Sequence, residues 1–242
     1  LIPVMLIAAV AAGTIWALIP AVCRAKWGTN ESLFTLMMNY VAMQIVSYCI
    51  TFWENPIGSN TVGIINSATS GGWLPSLFGQ KYLLNILVVA LITILMYIYL
   101  KYSKHGYEIA VVGESQNTAR YIGINVKKVI VRTVALSGAL CGLAGLLLVA
   151  GTDHTISTNT VGGQGFTAIM VSWLAKFNPL VMALTSFLLI FLGRGAGEIA
   201  TAFRLNESVS DILTGIILFF IIGCEFFVNY KVNFRPMHKE GK

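Results

Sequence analysis

"LIPVMLIAAVAAGTIWALIPAVC", residues 1–23, has no charged side chain and is long enough to cross a lipid bilayer as one helix. Charge-free runs at 32–53, 82–100 and 133–152 also approach or exceed the about 20 apolar residues that a crossing needs. Only 11% of the 242 residues are charged, whereas a soluble domain carries about 25%. Because no run shows the period-2 alternation of a membrane β-barrel, an all-α, polytopic transmembrane bundle is predicted.

The first run does not resemble a secretory signal peptide, since it lacks a preceding basic segment and a small-residue cleavage site before a polar domain. The sequence starts at Leu1 inside an apolar pattern, so we expect N-terminal helices to be missing. The cysteines form no C-x-x-C pair, and we expect this chain to bind neither metal nor cofactor. They are Cys23, Cys49, Cys141 and Cys224.

Basic residues alternate between the two sides of the predicted helices. One set of connections holds most of them, namely Arg24, Lys26, Lys101, Lys104, Arg120, Lys127, Lys128, Arg132, Lys176, Lys231, Arg235, Lys239 and Lys242. The other set holds Lys81, Arg194 and Arg204. Because basic loops stay in the cytoplasm, the first set is predicted to be inside. Membrane orientation thus accounts for the net charge of +6, and no nucleic-acid partner is expected.

These patterns predict a single transmembrane domain over 1–242, with at least six helical elements. Its predicted parts are helices at 1–22, 32–53, 81–100, 133–150 and 208–230, an external loop at 54–80 and a cytoplasmic loop at 101–132. Between 150 and 208 the pattern is irregular: "TAIMVSWLAKF" is too short to span a bilayer, and "NPLVMALTSFLLIFLG" is marginal. Asn178-Pro179 separates the two, so we predict a short helix, a tight break at 176–179 and a second helix.

The polar stretch "VVGESQNTARYIGINVKK", residues 111–128, has signals for a short helix. Ser115 can cap "QNTARYI" at its first turn, and Gly123 can close it in the left-handed conformation. About two turns do not hold alone in water, so the helix needs a surface to dock on. The spacing alone also fits a solvated connector between membrane helices.

The longer stretch "HGYEIAVVGESQNTARYIGINVKKVIVRTVALSGALCGLAGLL" resembles the cytoplasmic coupling region of permease subunits of bacterial ABC importers. The closest group handles branched-chain amino acids, simple sugars and nucleosides. Residues in register with its pattern are Gly113, Ala119, Gly123 and Ile124. The chain departs from the pattern at Ser115, where Asn is usual, and at Thr118, where Ala is usual. Ser preserves a capping group at the first of these positions.

Two further stretches extend the resemblance. "GTNESLFTLMMNYVA", residues 28–42, is similar to the nucleoside and simple-sugar branch, and "GGQGFTAIMVSWLAKFNPL" resembles another family segment. The resemblance implies a type II ABC importer-like fold in the cell membrane. It also implies a second permease subunit, an external solute-binding lipoprotein and a cytoplasmic ATPase that is seated on residues 107–126 and carries the ATP and Mg²⁺. In this region the residues expected to couple to the ATPase are Gly113, Ser115, Ala119, Arg120, Tyr121, Gly123 and Ile124. Of these, Arg120 and Tyr121 are our candidates for the contact itself.

A nucleoside is the first-choice substrate, with a simple sugar second. A branched-chain amino acid permease and an ATP-independent secondary carrier stay open as alternatives. An enzyme is not expected, because the sequence shows neither a phosphate loop nor a reactive cluster.

Helix 32–53 carries neighbouring polar stripes with four-residue spacing, including Asn39, Tyr40, Met43, Gln44 and Ser47. The amide side chains of Asn39 and Gln44 are energetically costly where they face lipid, so we expect the stripes to face the bundle interior. They can form hydrogen bonds between helices or line a path for a polar, ring-shaped solute. A second pattern consists of small residues that allow close helix packing, namely Gly138, Gly142 and Gly145.

Overall fold

The structure is a computed structural model. It describes residues 1–54, 56–59, 61–67, 71–75, 79–80, 82–158 and 160–204, with 208, 209, 212, 215–217, 219, 220 and 223 beyond them. These residues form α-helices, one π-helix and an isolated β-bridge, and the described part contains no strand. Five of its helices are long and apolar enough to cross a membrane, which confirms the prediction of a polytopic helical bundle.

The helices follow one another through short connections. Their bounds are α1 Ile2–Trp27, α2 Glu31–Trp53, α3 Leu83–Tyr102, α4 Lys104–Glu114, α5 Gln116–Tyr121, α6 Val126–Leu148, the π-helix Val149–Asp153, α7 Gln164–Leu174 and α8 Pro179–Ala202. Several of them have an N-cap side chain that accepts a hydrogen bond from a first-turn N–H group. The capping residues are Asn30, Ser103, Asn125 and Asn178.

The chain forms two compact units, Leu1–Gly163 and Gln164–Lys242. In the first unit the most extensive helix contact joins α1 to α6. Gly13 lies against Gly138 and Gly142, so close that an added Cβ at Gly13 would lie 3.0 Å from the Gly142 Cα. At Gly145 an added Cβ would meet no described atom within 4 Å. Gly138 and Gly142 therefore lie in the close helix contact, and Gly145 lies outside it.

The described residues of the predicted external loop pack on the end of α6. The Trp73 ring stacks on the His154 imidazole with their centroids 4.0 Å apart. Backbone hydrogen bonds join Leu74 N–H to the Ala150 carbonyl at 3.1 Å and Ile65 N–H to the His154 carbonyl at 2.9 Å. This segment therefore has defined contacts with the π-helix that follows α6.

The predicted coupling loop, 101–132, is largely helical in the structure. It contains α4, α5 and the first turns of α6, which begins at Val126 instead of residue 133. Hydropathy predicts the start of α6 too late, because the first turns of the helix contain basic residues and so do not belong to the charge-free run. These residues are Lys127, Lys128 and Arg132. The Asn125 side chain marks the true start, where it accepts from the Lys128 N–H at 3.2 Å.

In the second unit, α7 and α8 are separated by the predicted break. Lys176 and Phe177 both have positive φ angles, 49° and 59°, and Asn178 caps α8 ahead of Pro179. The prediction that the second helix stops near residue 193 is wrong, because α8 extends to Ala202. Arg194, expected in an external connection, lies inside α8, since no capping or proline signal interrupts the helix there.

The predicted last helix, 208–230, falls mostly outside the described residues, and those of it that are described are helical. Cys224 and the sequence beyond it also lie outside them.

Candidate functional site

The short helix α5 is closed at both ends by hydrogen bonds. At its start the Ser115 hydroxyl accepts from the Thr118 N–H at 3.3 Å. At its end Gly123 has φ 86°, its N–H donates to the Arg120 carbonyl at 3.1 Å, and the Ile124 N–H donates to the Ala119 carbonyl at 2.9 Å. These two bonds form a Schellman motif, which requires the left-handed conformation that glycine adopts without steric cost. Ser115 and Gly123 thus define a helix of six residues.

The faces of α5 differ sharply in exposure. Ala119 is 0% exposed, whereas Tyr121 is 94% exposed and Arg120 is exposed beside it. Gly113, at the end of α4, and Gly123 are exposed as well, and Ile124 is half-buried. Ala119 is therefore packed against the rest of this chain, and Arg120 and Tyr121 form the exposed side of α5.

An ion-pair network joins α4 to α6. The Arg132 guanidinium donates to the Glu108 carboxylate at 2.9 Å, and His105 Nδ1 lies 3.6 Å from the same oxygen. The hydrogen bond from Arg132 lowers the pKa of Glu108 below its ordinary value of 4.5; partial burial opposes this shift and His105 adds to it. The sequence does not predict this pair, because its members are 24 residues apart and only the folded chain brings them together.

A tight joint attaches α4 to the end of α3. The Ser103 hydroxyl donates to the Tyr99 carbonyl at 2.6 Å and accepts from the Gly106 N–H at 3.0 Å. Gly106 is buried against the carbonyl groups of Tyr99 and Leu100, where a Cβ has no room. The hydrogen bonds of Ser103 and the close packing of Gly106 therefore hold the polar helix α4 against the end of the membrane helix α3.

The predicted solute stripe on α2 lies in the open. Asn39, Tyr40, Met43 and Gln44 are exposed and Ser47 is half-buried, so no described helix of the first unit covers the stripe. The Asn39 amide is 3.9 Å from the Met43 sulfur on the same helix. An open depression of about 450 Å³ follows the stripe, and α2 supplies all of its lining residues.

Comparison of the sequence with known proteins identifies a matching family and several relatives. The family model described as "Branched-chain amino acid transport system / permease component" matches residues 1–222. The chain is 28% identical to the glucose ABC transporter permease protein TsgB13 of Haloferax volcanii, over 96% of this chain and 64% of that protein. It is 31% identical to the guanosine ABC transporter permease protein NupP of Bacillus subtilis, over 91% of this chain and 64% of that protein.

A third relative is the nucleoside ABC transporter permease protein NupB of Lactococcus lactis, which is 27% identical over 91% of this chain and 63% of that protein. The chain thus spans a little less than two thirds of the length of these relatives. No solved structure matches it significantly.

Proposed function

Since the chain belongs to the branched-chain amino acid transport system permease family, we propose that it is the membrane-spanning permease subunit of an ABC importer. In this proposal it moves a nucleoside, or as second choice a simple sugar, into the cell by alternating access. ATP and Mg²⁺ bind to a separate cytoplasmic ATPase. The other partners are a second permease subunit and an external solute-binding lipoprotein.

The observation that supports this proposal best is the exposed face of α5. A six-residue helix is too short to be stable by itself, yet α5 is capped, closed and anchored by a buried alanine. Its anchoring leaves Arg120 and Tyr121 exposed together. Tyr and Arg are the residue types that dominate protein–protein hot spots, so a large fraction of the ATPase contact energy is assigned to these two.

The proposed contact predicts how force enters the membrane domain. Movement of the ATPase displaces α5, and α5 contacts both α4 and α6. From there the Glu108–Arg132 pair links α4 to α6, and the Ser103 joint links α4 to α3. ATP-driven closure thus reaches two membrane helices through polar contacts outside the bilayer core.

Acidic substitution at α5 tests the proposal in vesicles that contain the whole transporter with its ATPase. Arg120→Glu and Tyr121→Glu are expected to reduce uptake while the ATPase keeps hydrolysing ATP. Loss of one hot-spot residue costs about 2 kcal/mol or more, or about 30-fold in affinity. Lys104→Glu is the matched control, because Lys104 is exposed and basic but lies outside α5. Unchanged uptake by the α5 variants contradicts the proposed contact.

Two of the relatives are named for nucleosides or guanosine and one for glucose, which supports the proposed order of substrates. Uptake of labelled guanosine, in competition with unlabelled glucose, tests that order. Copurification with an ATPase separates the importer from the alternative of an ATP-independent carrier.

A further inference from the structure

A cleft of about 380 Å³ separates α3 from α6 within the first unit. Ligand sites in proteins have volumes of about 300–1,000 Å³ and combine apolar walls with a few polar groups. Most of the lining is apolar, including Val89, Leu143 and Leu147, and the polar members are Asn85, Thr93 and Thr152. Unlike the depression along α2, this cleft has walls from two helices.

The polar groups lie at two depths of the cleft. Asn85 is near the start of α3, and Thr93 is near its middle, which is the level of the bilayer where transporters hold their substrates. The Asn85 amide Nδ2 lies 3.4 Å from the Leu147 carbonyl and 3.5 Å from the Thr152 hydroxyl. Its Oδ1 is buried and accepts no hydrogen bond from the described residues. The cleft-lining residue Asn85 therefore has an unpaired acceptor among the described residues.

The backbone of α6 changes at the same place. After Leu148 the helix continues as the π-helix Val149–Asp153, which contains Thr152, and Gly151 makes room there for the Asn85 side chain. Single-turn π segments occur often at functional sites. Irregular backbone at membrane depth is tolerated where it is buried in protein or lines a water-filled cavity.

The cleft also lies where a movement of α4, in the predicted coupling loop 101–132, can change its width. The inner end of α3 is joined to α4, and α4 is tied to α6 by Glu108 and Arg132. A shift of α4 relative to α6 thus moves one wall of the cleft. At the outer end, the two long contacts of Asn85 join α3 to the end of α6 and its π-helix, and contacts of this length can be exchanged for bonds to a solute.

We infer that the α3–α6 cleft binds the transported solute, a small ring-bearing molecule with several hydroxyl or amide groups. Asn85 and Thr152 form hydrogen bonds with its polar edge, Thr93 receives it deeper in the membrane, and the apolar walls cover its ring. This inference rests on the proposed importer function. It adds a solute site on helices other than α2.

Protection of an introduced cysteine tests the site separately from transport. In the assembled transporter, with Cys23, Cys49, Cys141 and Cys224 replaced by serine, Thr152→Cys is modified with a thiol reagent in the presence of guanosine or glucose. Either solute is expected to slow modification at least several-fold. Thr158→Cys is the matched control, since Thr158 is exposed but does not line the cleft, and its modification rate is expected not to change.

Uptake measured on the same vesicles makes every outcome decisive. Uptake without protection overturns the cleft and leaves the importer intact, whereas protection without ATP-driven uptake supports the cleft and contradicts the importer. Absence of both overturns both. Protection by a fatty acid but by neither solute identifies a lipid groove and also overturns the inference.

A second variant tests Asn85 directly. Asn85→Ala is expected to raise the KM of uptake about tenfold, the effect of about one lost hydrogen bond, with ATPase activity retained. Thr158→Ala is its control. An unchanged KM with normal amounts of Asn85→Ala in the membrane contradicts a role for this amide.

Discussion

At the scale of single residues, the glycines of α6 differ in what surrounds them. Gly142 faces the α1 backbone, with an added Cβ 3.0 Å from the Ala9 carbonyl carbon, whereas Gly145 faces open space. Contacts of this kind replace side-chain packing by backbone packing, which is common between membrane helices. Identical residues three positions apart thus have different structural roles.

Alanine substitution distinguishes the two glycines. Gly142→Ala is expected to lower the free energy of unfolding by about 1–3 kcal/mol, because two backbones must separate to admit the methyl group. Gly145→Ala is the control and is expected to be neutral or stabilising by up to about 1 kcal/mol, since alanine favours helix. Denaturant titration of the purified protein in detergent measures both, and equal losses contradict the assigned contact.

Residue chemistry predicts local features well and distant contacts poorly. Ser115 and Gly123 could be assigned from sequence because capping and left-handed closure depend on a few neighbouring residues. The burial of Ala119 depends on which way a short helix docks, and the spacing of residues in sequence does not determine that. The partners of Gly138 and Gly142 could not be named either, because Gly13 is far away along the chain.

At the scale of elements, α4 connects the polar side of the protein to the membrane helices. It is an amphipathic helix of 11 residues that is too short to span a bilayer. Sequence analysis predicted a loop here, since a short helix with mixed polarity gives a weak periodic signal. Its contacts with α3, α5 and α6 connect the short helix α5 to both helices that form the cleft.

The ion pair of α4 predicts a dependence of stability on pH. The pKa of Glu108 is lowered in the folded protein, so its stabilising effect is complete above the ordinary value of 4.5. The effect is lost as the pH falls through the folded-state pKa. Glu108→Gln is therefore expected to lower the melting temperature at pH 7, by a margin that shrinks towards pH 3. Exposed Glu114 on the same helix supplies the control Glu114→Gln.

Melting curves of both variants at several pH values provide the measurement. A pH-independent difference between Glu108→Gln and the unaltered protein contradicts the assigned pair.

At the scale of the whole molecule, the pattern of basic residues predicts which ends of the helices face the cytoplasm. The five candidate spans agree with a multi-pass protein of the cell membrane. The polytopic character could be predicted because charge-free runs of bilayer length are typical of membrane-spanning helices. The C-terminal end of α8 could not be predicted, because its 24 residues include Arg194 and Glu198, which interrupt the apolar run.

Accessibility of two exposed residues tests the orientation. In intact cells carrying the cysteine-free protein, an impermeant thiol reagent is expected to modify Thr158→Cys and to leave Asn117→Cys unmodified. Permeabilisation is expected to expose Asn117→Cys to the reagent. Modification of Asn117→Cys before permeabilisation places α5 outside the cell, where no cytoplasmic ATPase reaches it.

The contact between α1 and α6 has a consequence for biosynthesis. The ribosome completes α2, α3, α4 and α5 after α1 and before α6, so α1 enters the bilayer well before its glycine-lined partner exists. With a mean hydropathy of 2.3, α1 is long and apolar enough to cross a bilayer before α6 is made. We therefore expect α1 and α6 to dock late, after each helix has been inserted into the bilayer.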